Sequence, residues 1–260
     1  MSFKNILLEV HENLATITFN RPKVLNALNT ETMKELGQAI QEIALNQEIR
    51  GVILTGSGEK AFIAGADINE FSSLSPAQAR DLAHLGQRIT RDMELLGVPV
   101  LGVINGYALG GGFEVALACD FLIASDHAQM GLPEVTLGLI PGWGGTQRLA
   151  RLIGPNRARQ LVLSGEKIKA KKALEWGIVN EVHPQTELLA RGKEILSQMA
   201  SNSPFAIFQA KRSLNEGLQS DLDRGLMLEQ NYFGLCFTTE DLKEGVCAFS
   251  EKRKPQFKGK

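Results

Sequence analysis

The chain has 260 residues, 43% hydrophobic and 22% charged, the proportions of an ordinary globular protein, which exclude a disordered or collagen-like chain. Its 28 basic and 29 acidic side chains leave a formal net charge of −1, so no global basic excess points to nucleic acid or to an anionic membrane as partner. Three widely spaced cysteines, Cys119, Cys236 and Cys247, form no C-x-x-C pair, which argues against a disulfide framework and a zinc site; no metal is expected.

The opening "MSFKNILLEVHENLATITF" lacks the charged start, apolar block and small-residue cleavage site of a secretory signal. No window approaches the roughly 18 apolar residues of a membrane span, and the expectation is a cytoplasmic protein. "ILLEV" and "LATITF" read as a hairpin turning at Glu12 and Asn13, with Ala15, Ile17 and Phe19 alternating in the second strand. "NRPKVLNALN" reads as a loop. Asn29 or Thr30 then caps a helix whose apolar positions Met33, Leu36, Ile40 and Ile43 recur every three to four residues. "GVILTG" is a short buried strand, and Ser75 with Pro76 opens a second helix that ends near Gly97 and Pro99. "VPVLGVI" and "FLIAS" are further strands, and the alternation indicates an α/β protein. From about Thr186 the strand signals fade and residues 187–250 read as helices. No fixed period of 20 to 50 residues marks a repeat array.

Three segments carry chemistry. In the first, Gly56, Gly58 and Ala61 formally fit a dinucleotide fingerprint, but Glu59 would bring negative charge to the pyrophosphate and no helix is predicted to follow, so "GSGEK" reads as a surface hairpin turn. The adjoining "AGAD", Ala64 to Asp67, is small-residue backbone whose amides can face a cleft. In the second, "NGYALGGGFEVALACD", Gly110 to Gly112 stand at a helix N-terminus, where unpaired N–H groups and the helix dipole stabilise an oxyanion. Glu114 falls in that first turn; its plainer role is to interact with the dipole, worth about 0.3–1 kcal/mol. In the third, "LPEVTLGLIPGWGGTQRL", Glu134 follows Pro133, and Pro141, Gly142, Gly144 and Gly145 shape a loop behind it. Two glutamates in apolar, glycine-rich settings suggest a dyad tuned so that one carboxyl donates a proton and the other accepts one. Trp143 reads as a core or interface aromatic rather than a site residue.

Together, "NRPKVLNAL", "AFIAGADI", "NGYALGGGFEVALACD", "LPEVTLGLIPGWGGTQRL" and the tail "CFTTEDLKEGVCAFSEKRKPQFKGK" resemble the crotonases, and among them the short-chain enoyl-CoA hydratases or 3-hydroxybutyryl-CoA dehydratases. The resemblance implies an α/β spiral of repeated ββα units, here residues 1–195 with the active site, and a helical C-terminal trimerisation region, residues 196–260. It implies reversible addition of water across the C2=C3 double bond of an enoyl-CoA. The thioester oxygen is held by the N–H groups of Ala66 and Gly111, and removing one such donor costs on the order of 3 kcal/mol. Glu114 matches the residue that activates water for C3, Glu134 the one that delivers a proton to C2, and the backbone of Gly142 helps to position the water. Val24, Leu25 and Ala27, with Ala64, Gly65, Asp67 and Ile68, match the CoA cleft.

The resemblance further implies no separate cofactor, coenzyme A being part of the substrate, an acyl-CoA thioester as partner, and a homotrimer or homohexamer that binds neither nucleic acid nor membrane. Many hydratases carry lysine where this chain has Asn69; Lys252 and Lys254 in the tail are alternative sources of charge, or a solvated terminus. The loop between Asn69 and Ser75 is expected to wall the acyl pocket. Another crotonase-type reaction (isomerase, decarboxylase or carrier-bound enoyl hydratase) is the alternative, and an RNA-binding or non-catalytic relative a more distant one.

Overall fold

The computed structural model describes residues 3–72 and 74–260. β1 (Ile6–His11) and β2 (Leu14–Phe19) form the hairpin, in register from Ile6 opposite Phe19 to His11 opposite Leu14, with Glu12 at φ 54° in the turn. Asn29 caps α1 (Thr30–Leu45), its side chain accepting the Thr32 N–H at 2.8 Å, and Met33, Leu36, Ile40 and Ile43 are all buried. β3 (Gly51–Gly56) and β4 (Ala61–Ile63) lead to α2 (Pro76–Leu95), opened by a capping box between Ser75 and Gln78. β5 (Val100–Ile104), β6 (Tyr107–Leu109) and α3 (Gly111–Ala116) follow, then β7 (Phe121–Ser125), β8 (Gln129–Gly131), α4 (Gly145–Ile153) and α5 (Pro155–Ser164). β9 (Lys167–Lys169), α6 (Ala170–Glu175) and β10 (Glu181–His183) complete the strands. The chain ends in α7 (Gln185–Ala200), α8 (Pro204–Gly217), α9 (Leu222–Cys236) and α10 (Glu240–Ser250).

The strands divide between two sheets, of order β1-β2-β3-β5-β7-β10 and β4-β6-β8-β9. β3, β5 and β7 are parallel neighbours in the larger sheet, and β4, β6 and β8 are parallel neighbours in the smaller one. Each ββ unit thus places one strand in each sheet and the next unit steps one position along both, which is the expected spiral. The units begin at residues 51, 100 and 121, because the helix after the first has 20 residues and the helix after the second only 6. Unequal connectors explain why a repeat in space leaves no fixed period in sequence.

One expectation is corrected. "GSGEK" is not a hairpin turn, because β4 pairs with β6 rather than with β3, and the chain here crosses from one sheet to the other. Backbone groups that a hairpin ladder would satisfy are taken by side-chain amides. Asn105 Nδ2 donates to the carbonyls of Gly56 (2.9 Å) and Gly58 (2.8 Å), and Asn26 Nδ2 to those of Ser57 (3.1 Å) and Ala61 (2.9 Å). A Cβ on Gly56 would lie 2.2 Å from the Ala61 oxygen, so the corner closes only around glycine. No helix follows these glycines, in keeping with the rejected dinucleotide site.

α7 lies against the larger sheet, its Leu188 and Leu196 buried with Ile53, Leu101, Val103 and Ile123, and it runs unbroken through position 195. α8 is tied to the sheets by Lys211, whose Nζ donates to the Val98 carbonyl (2.9 Å) and lies 2.8 Å from Asp120 Oδ2. Among the described residues no helix is long and apolar enough to cross a membrane.

Candidate active site

Glu114 reaches its position because α3 is pressed against β4. A Cβ on Gly112 would stand 2.2 Å from the Ile63 carbonyl, and Gly110 turns into the helix at φ 51°. The glutamate is 2% exposed, and its Oε1 accepts the N–H groups of Trp143 and Gly145, each at 2.7 Å. Burial pushes its pKa up, while the amides of Gly145, Trp143 and Gly142 oppose the shift. This turn therefore stabilises a buried carboxylate with backbone dipoles.

Glu134 sits on a 3-10 helix, Pro133–Leu137, so it is part of a short regular turn where an irregular loop was expected. Its Oε1 would be 2.9 Å from a Cβ on Gly110, and its buried Oε2 has no hydrogen-bond partner among the described residues. Burial, with a further contribution from the charge of Glu114, pushes its pKa up to about 7. The two carboxyls thus meet electrostatically beside the Gly110 backbone.

Gly65, at φ 117°, brings "AGAD" to the same place: a Cβ on Gly110 would be 3.9 Å from the Gly65 Cα. Ala66 is held by a parallel bridge to Leu28, in which Leu28 N–H donates to Gly65 O (2.9 Å) and Asp67 N–H to Leu28 O (2.7 Å). Among the described residues neither the Ala66 nor the Gly111 N–H finds an acceptor, so two adjacent segments each offer a free donor.

The loop before α1 packs along this segment. Leu25 and Asn26 both take left-handed backbone (φ 53° and 59°), and the Ala64 N–H donates to the Leu25 carbonyl at 3.0 Å. Arg21 bonds the Ala27 carbonyl and lies 3.5 Å from Asp67. Val24, Leu25 and Ile68 are exposed on these joined segments. Asn69, standing where a lysine was considered, donates its side-chain amide to Asp67 Oδ1 at 3.0 Å and brings no charge. Of the Asn69–Ser75 loop, residue 73 lies outside the described residues.

The tail is folded back instead of solvated throughout: Asp241 accepts the Lys258 and Gly259 N–H groups at 2.7 and 3.0 Å, while Lys252 and Lys254 remain exposed. Trp143 has the core role expected of it, 6% exposed and wedged between Gly86 and Gly111, where added Cβ atoms would stand 2.2 and 2.6 Å from its ring. No group of three or more metal-ligating side chains occurs among the described residues.

A family model described as enoyl-CoA hydratase/isomerase matches residues 9–260. The chain belongs to the enoyl-CoA hydratase/isomerase family. It is 48% identical to the short-chain-enoyl-CoA hydratase of Clostridium acetobutylicum, over 98% of this chain and 97% of that protein. It is 46% identical to the crotonyl-CoA hydratase of Syntrophomonas wolfei, over 99% of both. A crystal structure of an enoyl-CoA hydratase from Bacillus anthracis superposes with a TM-score of 0.96 at 42% identity, covering 99% of this chain and 100% of that one.

The structure brings together the two glutamates singled out from the sequence, whereas the amides of Trp143 and Gly145 that hold Glu114 were missed. The signal available was the glycine density of "PGWGG", which marks a shaped loop without saying what it faces. Also missed were Asn26 and Asn105, the side chains that hold the sheet-crossing corner; Asn105 stands beside a glycine at a strand end, and Asn26 carries no such local signal.

Proposed function

We propose that this protein is an enoyl-CoA hydratase that adds water reversibly across the C2=C3 double bond of a trans-2-enoyl-CoA, giving a 3-hydroxyacyl-CoA. One observation carries the reading: a buried carboxyl, Glu114, and a half-buried one, Glu134, both with raised pKa values, converge beside two unpaired backbone donors. Ala66 and Gly111 hold the thioester oxygen, and their N–H groups strengthen their hold as negative charge develops on it. Glu114, held by backbone amides, takes a proton from the water that attacks C3. Glu134, whose pKa of about 7 keeps much of it protonated at neutral pH, delivers a proton to C2. Both carboxyls exchange roles in dehydration. The Gly142 amide, which faces Glu114, helps to hold the water.

The CoA portion lies along Val24, Leu25 and Ala27 on one wall and Ala64, Gly65, Asp67 and Ile68 on the other, segments already joined by backbone hydrogen bonds. Coenzyme A is part of the substrate and no separate cofactor is used. The division proposed is a catalytic spiral over 1–195 and an oligomerisation region over 196–260, in a cytoplasmic homotrimer or homohexamer. Exposed Leu218, just after α8, Leu222 and Phe233 on α9, and Phe249 on α10 support that assembly, since burying such side chains between copies removes apolar surface from water. A monomer by light scattering at micromolar concentration would sink it.

The test of the reaction is the loss of enoyl-thioester absorbance with crotonyl-CoA. Rapid loss that Glu114→Gln and Glu134→Gln abolish supports both the reaction and the dyad. Binding without loss keeps the thioester site and rejects hydration of this substrate.

A further inference from the structure

The turn that holds Glu114 is itself held from behind. Trans peptide planarity places a carbonyl on the opposite side of each plane from the following N–H. The plane that carries the Trp143 N–H carries the Gly142 carbonyl, which accepts from Gln87 Nε2 at 2.9 Å. The plane that carries the Gly145 N–H carries the Gly144 carbonyl, taken by the N–H groups of Gln147 and Arg148 in the first turn of α4. Between them the Trp143 carbonyl accepts from Arg148 Nη1 (2.8 Å) and Thr90 Oγ1 (3.3 Å). Arg148 is in turn fixed by Glu94, whose Oε1 accepts from its Nε at 2.6 Å and whose Oε2 accepts from Arg91 at 2.9 Å. Gln87, Thr90, Arg91 and Glu94 all belong to α2.

We propose that Gln87, Thr90 and the Glu94–Arg148 pair are positioning residues for Glu114: by gripping the carbonyls of residues 142 and 143 they aim the N–H groups of the same turn at its carboxylate. None of them needs to touch substrate. The inference rests on the reading of Glu114 as the base, but its geometry does not. If the grip loosens, Glu114 loses donors that favour its charged form while its burial persists, so it becomes harder to ionise. The charged groups facing Glu114 are Glu134 on the 3-10 helix and Arg148 on α4, with Glu94 and Arg91 of α2 behind Arg148. For Glu94 itself burial raises the pKa, but hydrogen bonds from Arg148 and Arg91 outweigh it and leave the carboxyl below its ordinary range.

This arrangement gives a test by sign. With Arg148 kept in place, removing the negative charge of Glu94 would by field alone make Glu114 easier to ionise. Loss of positioning makes it harder. We therefore expect the acid limb of the kcat/KM profile to move up by about half to one pH unit in Glu94→Leu, the size of weakening one charge-assisted hydrogen bond. Glu94→Gln, which keeps an acceptor for Arg148, should move it less. Gln87→Ala, at an exposed side chain with no core role, should move it in the same direction, with KM near that of the unaltered enzyme.

A limb that stays in place or moves down in Glu94→Leu overturns the proposal, as does an activity loss equal at every pH. Were the unaltered protein to hydrate no enoyl-CoA, the proposed reaction would fail on its own. Titration of the Glu114 carboxyl by 13C NMR, assigned by its disappearance in Glu114→Gln, would then judge the network by the same sign.

Discussion

The surroundings of Glu114 and Glu134 differ more than their shared upward pKa shifts suggest. Glu114 is anchored at both scales: its helix is locked against β4 through Gly112, and its carboxylate is met by amides from a turn that α2 holds in place. Glu134 stands on one short 3-10 turn, with a buried oxygen that no group among the described residues satisfies. The first setting suits a carboxyl that must be charged when buried; the second suits one that gains by holding a proton. One fold thus separates a base from an acid chiefly by how many dipoles it supplies to each, with the charge of Arg148 adding a smaller contribution at Glu114.

The largest effect that would break this comparison is on turnover. Glu114→Gln and Glu134→Gln should each lower kcat by about 10²–10⁴-fold, the usual contribution of a positioned proton donor or acceptor, with acyl-CoA affinity largely retained. Stopped-flow absorbance and calorimetric binding check both halves. If Glu134 is the donor, hydration by the free enzyme should also decline as pH rises through about 7, because ionisation removes the proton it delivers. A flat profile there would reverse or erase the assignment.

A middle-sized effect separates Gly111, at the start of α3, from Gly142, in the turn that faces Glu114. Gly111→Ala would place a Cβ 2.6 Å from the Trp143 ring, which is itself caught against Gly86, so neither side can yield; a loss of about 1–3 kcal/mol in denaturant unfolding is expected. For Gly142→Ala the nearest atom would be the Ala83 Cβ at 3.8 Å, ordinary contact, and stability should change by no more than about 0.5 kcal/mol. Equal losses at the two sites would show that the packing around Trp143 is looser than these distances require.

How much of this was legible in sequence depends on the range of the contact. Asn29 and the Ser75–Gln78 box announce helix starts because capping acts over three residues, and the spacing of Met33, Leu36, Ile40 and Ile43 reports one buried helix face. β6, β8 and β9 have three residues each, too few to display alternation. The corner at "GSGEK" was misread because strand–glycine–strand looks the same whether the second strand folds back or joins another sheet; Asn26 and Asn105, far away in sequence, decide it. Likewise, the glycines place Glu114 in the first turn of α3, where the structure has it. The donors that set its charge lie 29 and 31 residues later, and the Arg148 contact with Glu94 spans 54, with no local pattern to betray them.

The smallest effect tests the unsatisfied setting directly, through stability instead of rate. With a folded-state pKa of about 7 against an ordinary 4.5, Glu134 binds its proton more tightly when folded. Whatever stability this provides is fully present below about pH 4.5 and is lost as pH rises through 7, because the half-buried carboxyl must then ionise in place or the chain must open. Glu134→Gln removes that liability while keeping shape, so the variant should be more stable than the unaltered protein by on the order of 1 kcal/mol at pH 8 and indistinguishable from it near pH 4. Thermal melts at the two pH values check it. Glu114→Gln should gain less at pH 8, since it gives up a carboxylate already held by amides; an equal gain would mean that the turn at 142–145 does not stabilise the charge it faces.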